Sequence, residues 1–145
     1  MSTLLKVYHS KRNDDCYDRN KDVHKKGSIH YVFLGTTNDK NDHVQNGGAS
    51  GYRPCIIMSN KVACNVSPVL LVVPITSSYG KHRKSMPTHL ELGNILPKKS
   101  VALFEQVLTV NRYQLCDKIA SLSEELLEEA NKKIMISFGL VPQYA

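Results

Sequence analysis

Residues 51–60, GYRPCIIMSN, and residues 67–78, SPVLLVVPITSS, decide how this chain folds. Each has a short apolar run rich in valine and isoleucine between residues that favour turns. β-Branched side chains favour strands, and runs this short have strand length rather than helix length. The first run, PCIIM, does not alternate apolar with polar residues. A strand with one wet face would alternate, so this one is expected to be buried on both faces. In the second, VLLVV is expected to be the buried centre.

Outward from these two strands, 27–35, GSIHYVFLG, reads as an opening strand, and Gly27 as the start of the folded domain. Between it and Tyr52 runs a long polar loop, TTNDKNDHVQNGGASG, with Gly47, Gly48 and Gly51. Loops of that length inside a compact domain are usually functional or mobile. KVACNVS reads as a short connection and SYGKHRKS as a basic loop. MPTHLEL is a short strand, GNILPKK a turn, and SVALFEQVLTV one further strand. NRYQLCDK forms a turn or a single helical turn before a short IASL strand.

The last element is a helix. Ser123 is its N-cap, and Glu124 and Glu125 stand in the first turn, where carboxylates suit the helix dipole. Ser121 and Glu124 also have capping-box spacing. Leu126, Ala130, Ile134 and Phe138 recur every four residues with Leu127 beside them, a core-facing stripe. Gly139 supplies the stop. The fold class is therefore mainly β with a C-terminal helix, a small bent barrel with helical decoration. Residues 1–26 form a charged arm and 27–145 the domain.

The chain has 145 residues, 41% of them hydrophobic, and a formal net charge of +6. That is one domain with one core. No apolar run reaches the ~18 residues of a membrane helix, and the N-terminus lacks the apolar centre of a signal peptide. The protein reads as cytoplasmic. Cys16, Cys55, Cys64 and Cys116 show no CxxC spacing and read as free thiols. Histidines and carboxylates form no HxxxH or similar cluster, so neither a metal nor another cofactor is expected. The basic charge suits an anionic partner.

Several residues carry possible chemistry. Arg53 lies where the glycine loop meets a strand. Its planar fork of donors matches phosphate oxygens, and flexible glycines beside it would admit a polynucleotide. The alternative is a salt bridge to a carboxylate at the barrel mouth. Thr76, Ser77 and Ser78 close their strand with hydroxyls suited either to phosphate or to capping a turn. Lys81, His82, Arg83 and Lys84 form a basic loop that either follows an RNA backbone or stays solvated. Glu105 and Gln106 interrupt an apolar strand, and neighbours in a strand face opposite sides. One of them points inward, and a buried carboxylate needs a partner, with Arg53 a candidate. His30 and His89 read as satisfied structural residues, and His9, His24 and His43 as solvated.

Taken together, the segments resemble the MazF/PemK toxin family. GSIHYVFLG is similar to that family's opening strand, GYRPCIIMSN to its RP strand, and NVSPVLLVVPITSS to its SP…PIT strand. KSMPTHLEL, LPKKSVALFEQVLTVNRYQL and the helix ending MISFGL follow in family order, so the resemblance spans about Gly27 to Leu140. It implies an SH3-like barrel of the PemK/CcdB toxin type, paired as a homodimer. It implies a sequence-specific, metal-independent endoribonuclease that cuts single-stranded RNA, held silent by an acidic cognate antitoxin. It assigns Arg53 and Thr76 to catalysis. Family RNA contacts fall on Asn60, Glu105 and Gln106, and Gly51, Tyr52, Ser77 and Ser78, which flank the catalytic pair, are expected to bind RNA as well. Tyr52 and Tyr79 offer rings for base stacking. The general base stays open between Glu105 and a water. Three departures stand out: NGGASG replaces the family's GSEQ-G or GHEQ-G loop, Ser28 replaces an acidic residue, and the N-terminal arm is long. A non-cutting member is the competing expectation, either a gyrase-poison-like binder or a degenerate chain that binds RNA or antitoxin.

Overall fold

The structure, a computed structural model, describes residues 24–35, 43–77 and 86–142. The strands among them are β1 (Ser28–Phe33), β2 (Tyr52–Ile57), β3 (Val69–Thr76), β4 (His89–Glu91), β5 (Val101–Leu103), β6 (Leu108–Asn111) and β7 (Leu115–Ser121). All pairs are antiparallel, in the order β4-β5-β3-β2-β1-β7, with β6 also on β3. Among the described residues two α-helices accompany them, α1 (Lys61–Val66) and α2 (Glu124–Ser137).

β3 organises the sheet. One edge pairs with β2. The other is shared: β6 runs along Val69–Val72, and β5 along Ile75 and Thr76. Between the two partners the chain makes a 3-10 turn, Phe104–Gln106. SVALFEQVLTV is thus two strands and not the single strand expected. The fully buried Phe104 pulls the turn inward and bends the sheet. Pro74, which has no N–H to give a ladder, lies on β3 between the two paired stretches.

The double burial read from β2 and β3 has a simple cause. Ile56, Val73 and Ile75 pack on one side with Ile29, Phe104 and the apolar stripe of α2. Cys55, Ile57 and Val72 pack on the other with Val32, Cys64, Val110 and Leu115. The start of β3 is different, since Val69 and Leu71 are 40% and 43% exposed. VLLVV is therefore buried on both faces only at its C-terminal end.

KVACNVS, expected as a connection, is α1. Asn60 caps it by accepting from the Ala63 N–H at 2.9 Å. Arg112 closes the other end, donating to the carbonyls of Ala63, Cys64 and Ser67. Arg112 also donates to His24 Nδ1 at 2.8 Å, and His24 is 4% exposed rather than solvated. His30 is buried, as expected of a structural histidine, and its Nδ1 donates to the Cys116 carbonyl at 3.0 Å.

Helix α2 begins as read: Ser123 Oγ accepts from the Leu126 N–H at 3.2 Å. Ser121 is the last residue of β7 instead of a cap. Leu126, Leu127, Ala130 and Ile134 pack on the core. Phe138 does not continue the stripe; it is 60% exposed, because the helix ends at Ser137 and Gly139 turns away with φ 72°. Near that end Ser137 Oγ donates to the Phe104 carbonyl at 2.8 Å, tying the helix to the 3-10 turn.

Cys55, Cys64 and Cys116 are buried free thiols, and Cys16 lies outside the described residues. Burial pushes the thiols of Cys55 and Cys64 up, so both stay protonated. No helix among the described residues is long and apolar enough to cross a membrane.

Candidate active site

The β2–β3 register pairs Ile57 with Val72, Ile56 with Val73 and Cys55 with Pro74. Carried two residues further, it sets Arg53 opposite Thr76. Opposed residues of an antiparallel pair share a face. The Arg53 Nη1 donates to the Ile75 carbonyl at 3.1 Å, which keeps the guanidinium at this end of β3. Arg53 is half-buried, Thr76 is 3% exposed, and Ser77 beyond it is exposed. The sheet thus brings the two residues to one end and one face, with the hydroxyl recessed beneath the rim.

A loop holds the other side of the guanidinium. Arg53 Nε donates to the carbonyl of Asn46. The loop is closed by Gly47 N–H on the Gly35 carbonyl at 2.8 Å, Gly51 N–H on the Gly47 carbonyl at 3.1 Å, and Leu34 N–H on the Gly51 carbonyl at 2.9 Å. Asn46 Oδ1 accepts from the Gly48 N–H at 2.7 Å, an Asx-type turn. Gly47 and Gly51 are required by packing, and are not the open, flexible entrance expected. A Cβ on Gly47 would lie 1.9 Å from the backbone carbon of Gly51. A Cβ on Gly51, at φ +83°, would lie 2.8 Å from the Phe33 ring.

Gly47→Ala is therefore expected to open the loop and release the Asn46 carbonyl from Arg53. Crowding of this kind costs about 1–3 kcal/mol, and misplacing a catalytic group by ~1 Å costs on the order of 10²-fold in rate. A thermal melt and a cleavage assay check both. Wild-type values in the two would show that the loop does not control the arginine.

Glu105 does not pair with Arg53. Its Oε2 accepts from His89 Nε2 at 3.0 Å and its Oε1 from Thr88 Oγ1 at 2.9 Å. His89 Nδ1 accepts from the Met86 N–H at 3.3 Å, which sets the tautomer. Partial burial is the largest influence on Glu105 and raises its pKa. The bonds from His89, its own backbone and Thr88 together outweigh it and hold the carboxyl below its usual range. Glu105 is thus ionised at neutral pH. The His89–Glu105 pairing follows from the register of β4 on β5, which sets His89 opposite Leu103.

The remaining sequence candidates divide. Gly51, Tyr52 and Ser77 lie at the Arg53–Thr76 end. Tyr52 packs edge-on against Phe33, ring centroids 5.4 Å apart. Asn60 lies beyond the opposite end of β2, where it caps α1. Gln106 binds the backbone of His43 and Gln45. Ser78, Tyr79 and the basic loop from Lys81 to Lys84 lie outside the described residues. On the other face of the same strand ends, Pro54 and Ser77 line an open groove of about 480 Å³ with Tyr31, Leu96 and Lys98. Among the described residues no three His, Cys, Asp or Glu side chains gather as a metal-ligand set. Sequence reasoning missed the roles of Asn46 and Thr88 in holding Arg53 and Glu105, while His89 is the satisfied structural residue it was read as. The Asn-Gly pair at 46–47 is a turn signal that could have marked a bend there, but nothing in it marks the use of the Asn46 carbonyl.

The family of PemK-like, MazF-like toxins of type II toxin-antitoxin systems matches residues 25–138. Endoribonuclease MazF of Staphylococcus saprophyticus is 36% identical over 100 residues, covering 67% of this chain and 82% of the relative. An endoribonuclease from a mycobacterial species superposes with TM-score 0.61 at 16% identity, covering 83% of this chain and 94% of the other. MazF from Deinococcus radiodurans superposes at 0.59 with 23% identity, covering 81% and 97%. An endoribonuclease in complex with its cognate antitoxin, also mycobacterial, gives 0.61 at 17% identity, covering 81% and 96%. The fold is that of these toxins, and the sequence match over most of the domain makes this chain a member of the MazF/PemK toxin family.

Proposed function

We propose that this chain is the toxin of a toxin-antitoxin pair and cleaves single-stranded RNA at the Arg53–Thr76 rim. The observation that carries the reading is the Arg53 Nη1 bond to the Ile75 carbonyl, which holds a braced guanidinium at the strand end that Thr76 closes. The family match and the endoribonuclease among its relatives support the reaction class.

The chemistry follows from the groups present. The ribose 2′-oxygen attacks the adjacent phosphorus in line, and the bond from phosphorus to the 5′-oxygen breaks. The 2′-hydroxyl gives up its proton and the departing 5′-oxygen gains one. The products are a 2′,3′-cyclic phosphate and a 5′-hydroxyl. Negative charge grows on the phosphoryl oxygens, where Arg53 stabilises it. Because Ile75 and Asn46 fix the guanidinium beforehand, little reorganisation is needed at the moment of reaction. Thr76 donates to the same oxygens or to the leaving one. Beyond the rim, the groove beside Tyr31 and Lys98 suits an unstacked base and its phosphate.

The proposed setting is the cytoplasm, with the chain acting as a homodimer. Its proposed partner is an acidic antitoxin segment that orders over the rim at Arg53. The toxin-antitoxin complex among the structural relatives supports such a partner.

One observation favours the non-cutting alternative: Thr76 is buried in the free chain. Incubating the purified protein with a long single-stranded RNA in EDTA separates the two readings. Cuts at a short recurring sequence, with cyclic-phosphate and 5′-hydroxyl ends, are expected. Binding without cleavage, or 5′-phosphate ends, would overturn the proposed chemistry.

A further inference from the structure

The family resemblance sets Gln106 among the RNA contacts, but its primary amide is engaged within the protein. Oε1 accepts from the Gln45 N–H at 2.7 Å, and Nε2 donates to the His43 carbonyl at 3.1 Å. The His43 carbonyl and the Gln45 N–H flank the bend at Val44, and both meet this one side chain. A primary amide carries a donor and an acceptor side by side, so it docks onto that segment as a neighbouring peptide group would. The next residue along, Asn46, supplies the carbonyl that receives Arg53 Nε.

We propose that Gln106 is a positioning residue that orients the Arg53 guanidinium through the backbone of residues 43–46. The inference rests on the reading of Arg53 as the catalytic arginine. Gln106 is well placed for this, because the 3-10 turn that carries it is itself anchored residue by residue. Phe104 is buried in the core and its carbonyl is held by Ser137. Glu105 is held by Thr88 and His89. Gln106 passes that rigidity across to the loop. The far end of the segment is pinned separately by Gly47 on Gly35. Arg53 thus sits on a carbonyl fixed from both sides, in a loop whose NGGASG sequence offers no charged side chain to hold it.

Two readouts test the relay. The first is the Arg53 Nε–H signal in NMR of the RNA-free protein, assigned by its disappearance in Arg53→Ala. In Gln106→Ala this signal is expected to move to the position of a solvent-exposed arginine. An unmoved signal overturns the relay, since a side chain that only touches RNA leaves the free protein unchanged. The second is single-turnover cleavage in Gln106→Ala, Arg53→Ala and the double variant. Gln106→Ala is expected to lower kcat about 10- to 100-fold with KM little changed. In the Arg53→Ala background the same change is expected to cost under about twofold, because interacting sites are not additive. Equal losses in both backgrounds, or a loss confined to KM, make Gln106 a direct RNA contact and sink the proposal. Should Gln106→Ala fail to fold, Gln106→Glu replaces it, keeping the acceptor for Gln45 and losing the donor to His43. Wild-type rates in Arg53→Ala would instead refute the catalytic reading of Arg53 and are recognisable as that separate failure.

Discussion

Arg53→Ala is expected to slow RNA cleavage by about 10²- to 10³-fold, the range found when one preorganised donor to a developing oxyanion is removed. The guanidinium faces the end of β3 with its plane set by the carbonyls of Ile75 and Asn46. Alanine removes the positive charge where negative charge accumulates. Most of the loss should fall in kcat, because the arginine's contribution is greatest when the phosphoryl oxygens carry extra charge. The two lost bonds to backbone carbonyls cost about 1–3 kcal/mol in stability. Arg53 is half-buried at a strand end and belongs to neither apolar cluster, so the variant should still fold. Arg53→Lys should recover little. A lysine ammonium is a point charge on a flexible stem and cannot reproduce a planar group held at two fixed carbonyls. Single-turnover kinetics beside a circular-dichroism melt give both quantities. A folded Arg53→Ala that cuts at the wild-type rate would remove Arg53 from the mechanism.

A larger effect is expected from the substrate side. Replacing one ribose with deoxyribose immediately 5′ of the mapped cut takes away the attacking oxygen. Cleavage at that phosphodiester should fall below detection, while the same replacement one nucleotide away should leave it within a few-fold. Binding should survive, since the phosphate that meets Arg53 is still present. Gel analysis of the two oligonucleotides, with a binding titration of each, separates chemistry from affinity. Cutting of the deoxy-substituted position would mean that water, and not the ribose, is the nucleophile.

How much of this was legible in the residues depends on the range of the interaction. The closing helix was read well because its cap, acidic first turn and stop are local: Ser123, Glu124, Glu125 and Gly139 all act within a few residues. The burial of β2 followed from an apolar run with no alternation. Arg53 and Thr76 were placed at strand ends by the turn residues around them. What was missed is long-range or carries no side-chain signature. His24 was read as solvated, but Arg112, 88 residues later, draws it into the interior. Glu105 needed a partner, and the register of β4 against β5 selects His89 rather than Arg53. The single strand read through SVALFEQVLTV breaks because β3 shares one edge between two partners, which no local pattern in that segment records. Helix α1 has six residues, too few for an apolar period to show. Every residue except proline offers the same backbone donor and acceptor, so nothing in the letters at 43–46 marks them as the cradle of an arginine.

The most direct test is a crystal structure of the protein with the cleavage-resistant deoxy-substituted RNA bound at the mapped site. The scissile phosphate should lie about 3 Å from the Arg53 guanidinium and from the Thr76 hydroxyl, with the neighbouring bases unstacked along the rim. A scissile phosphate bound on another face of the barrel, away from the Arg53 guanidinium and with Thr76 still covered, would contradict the account.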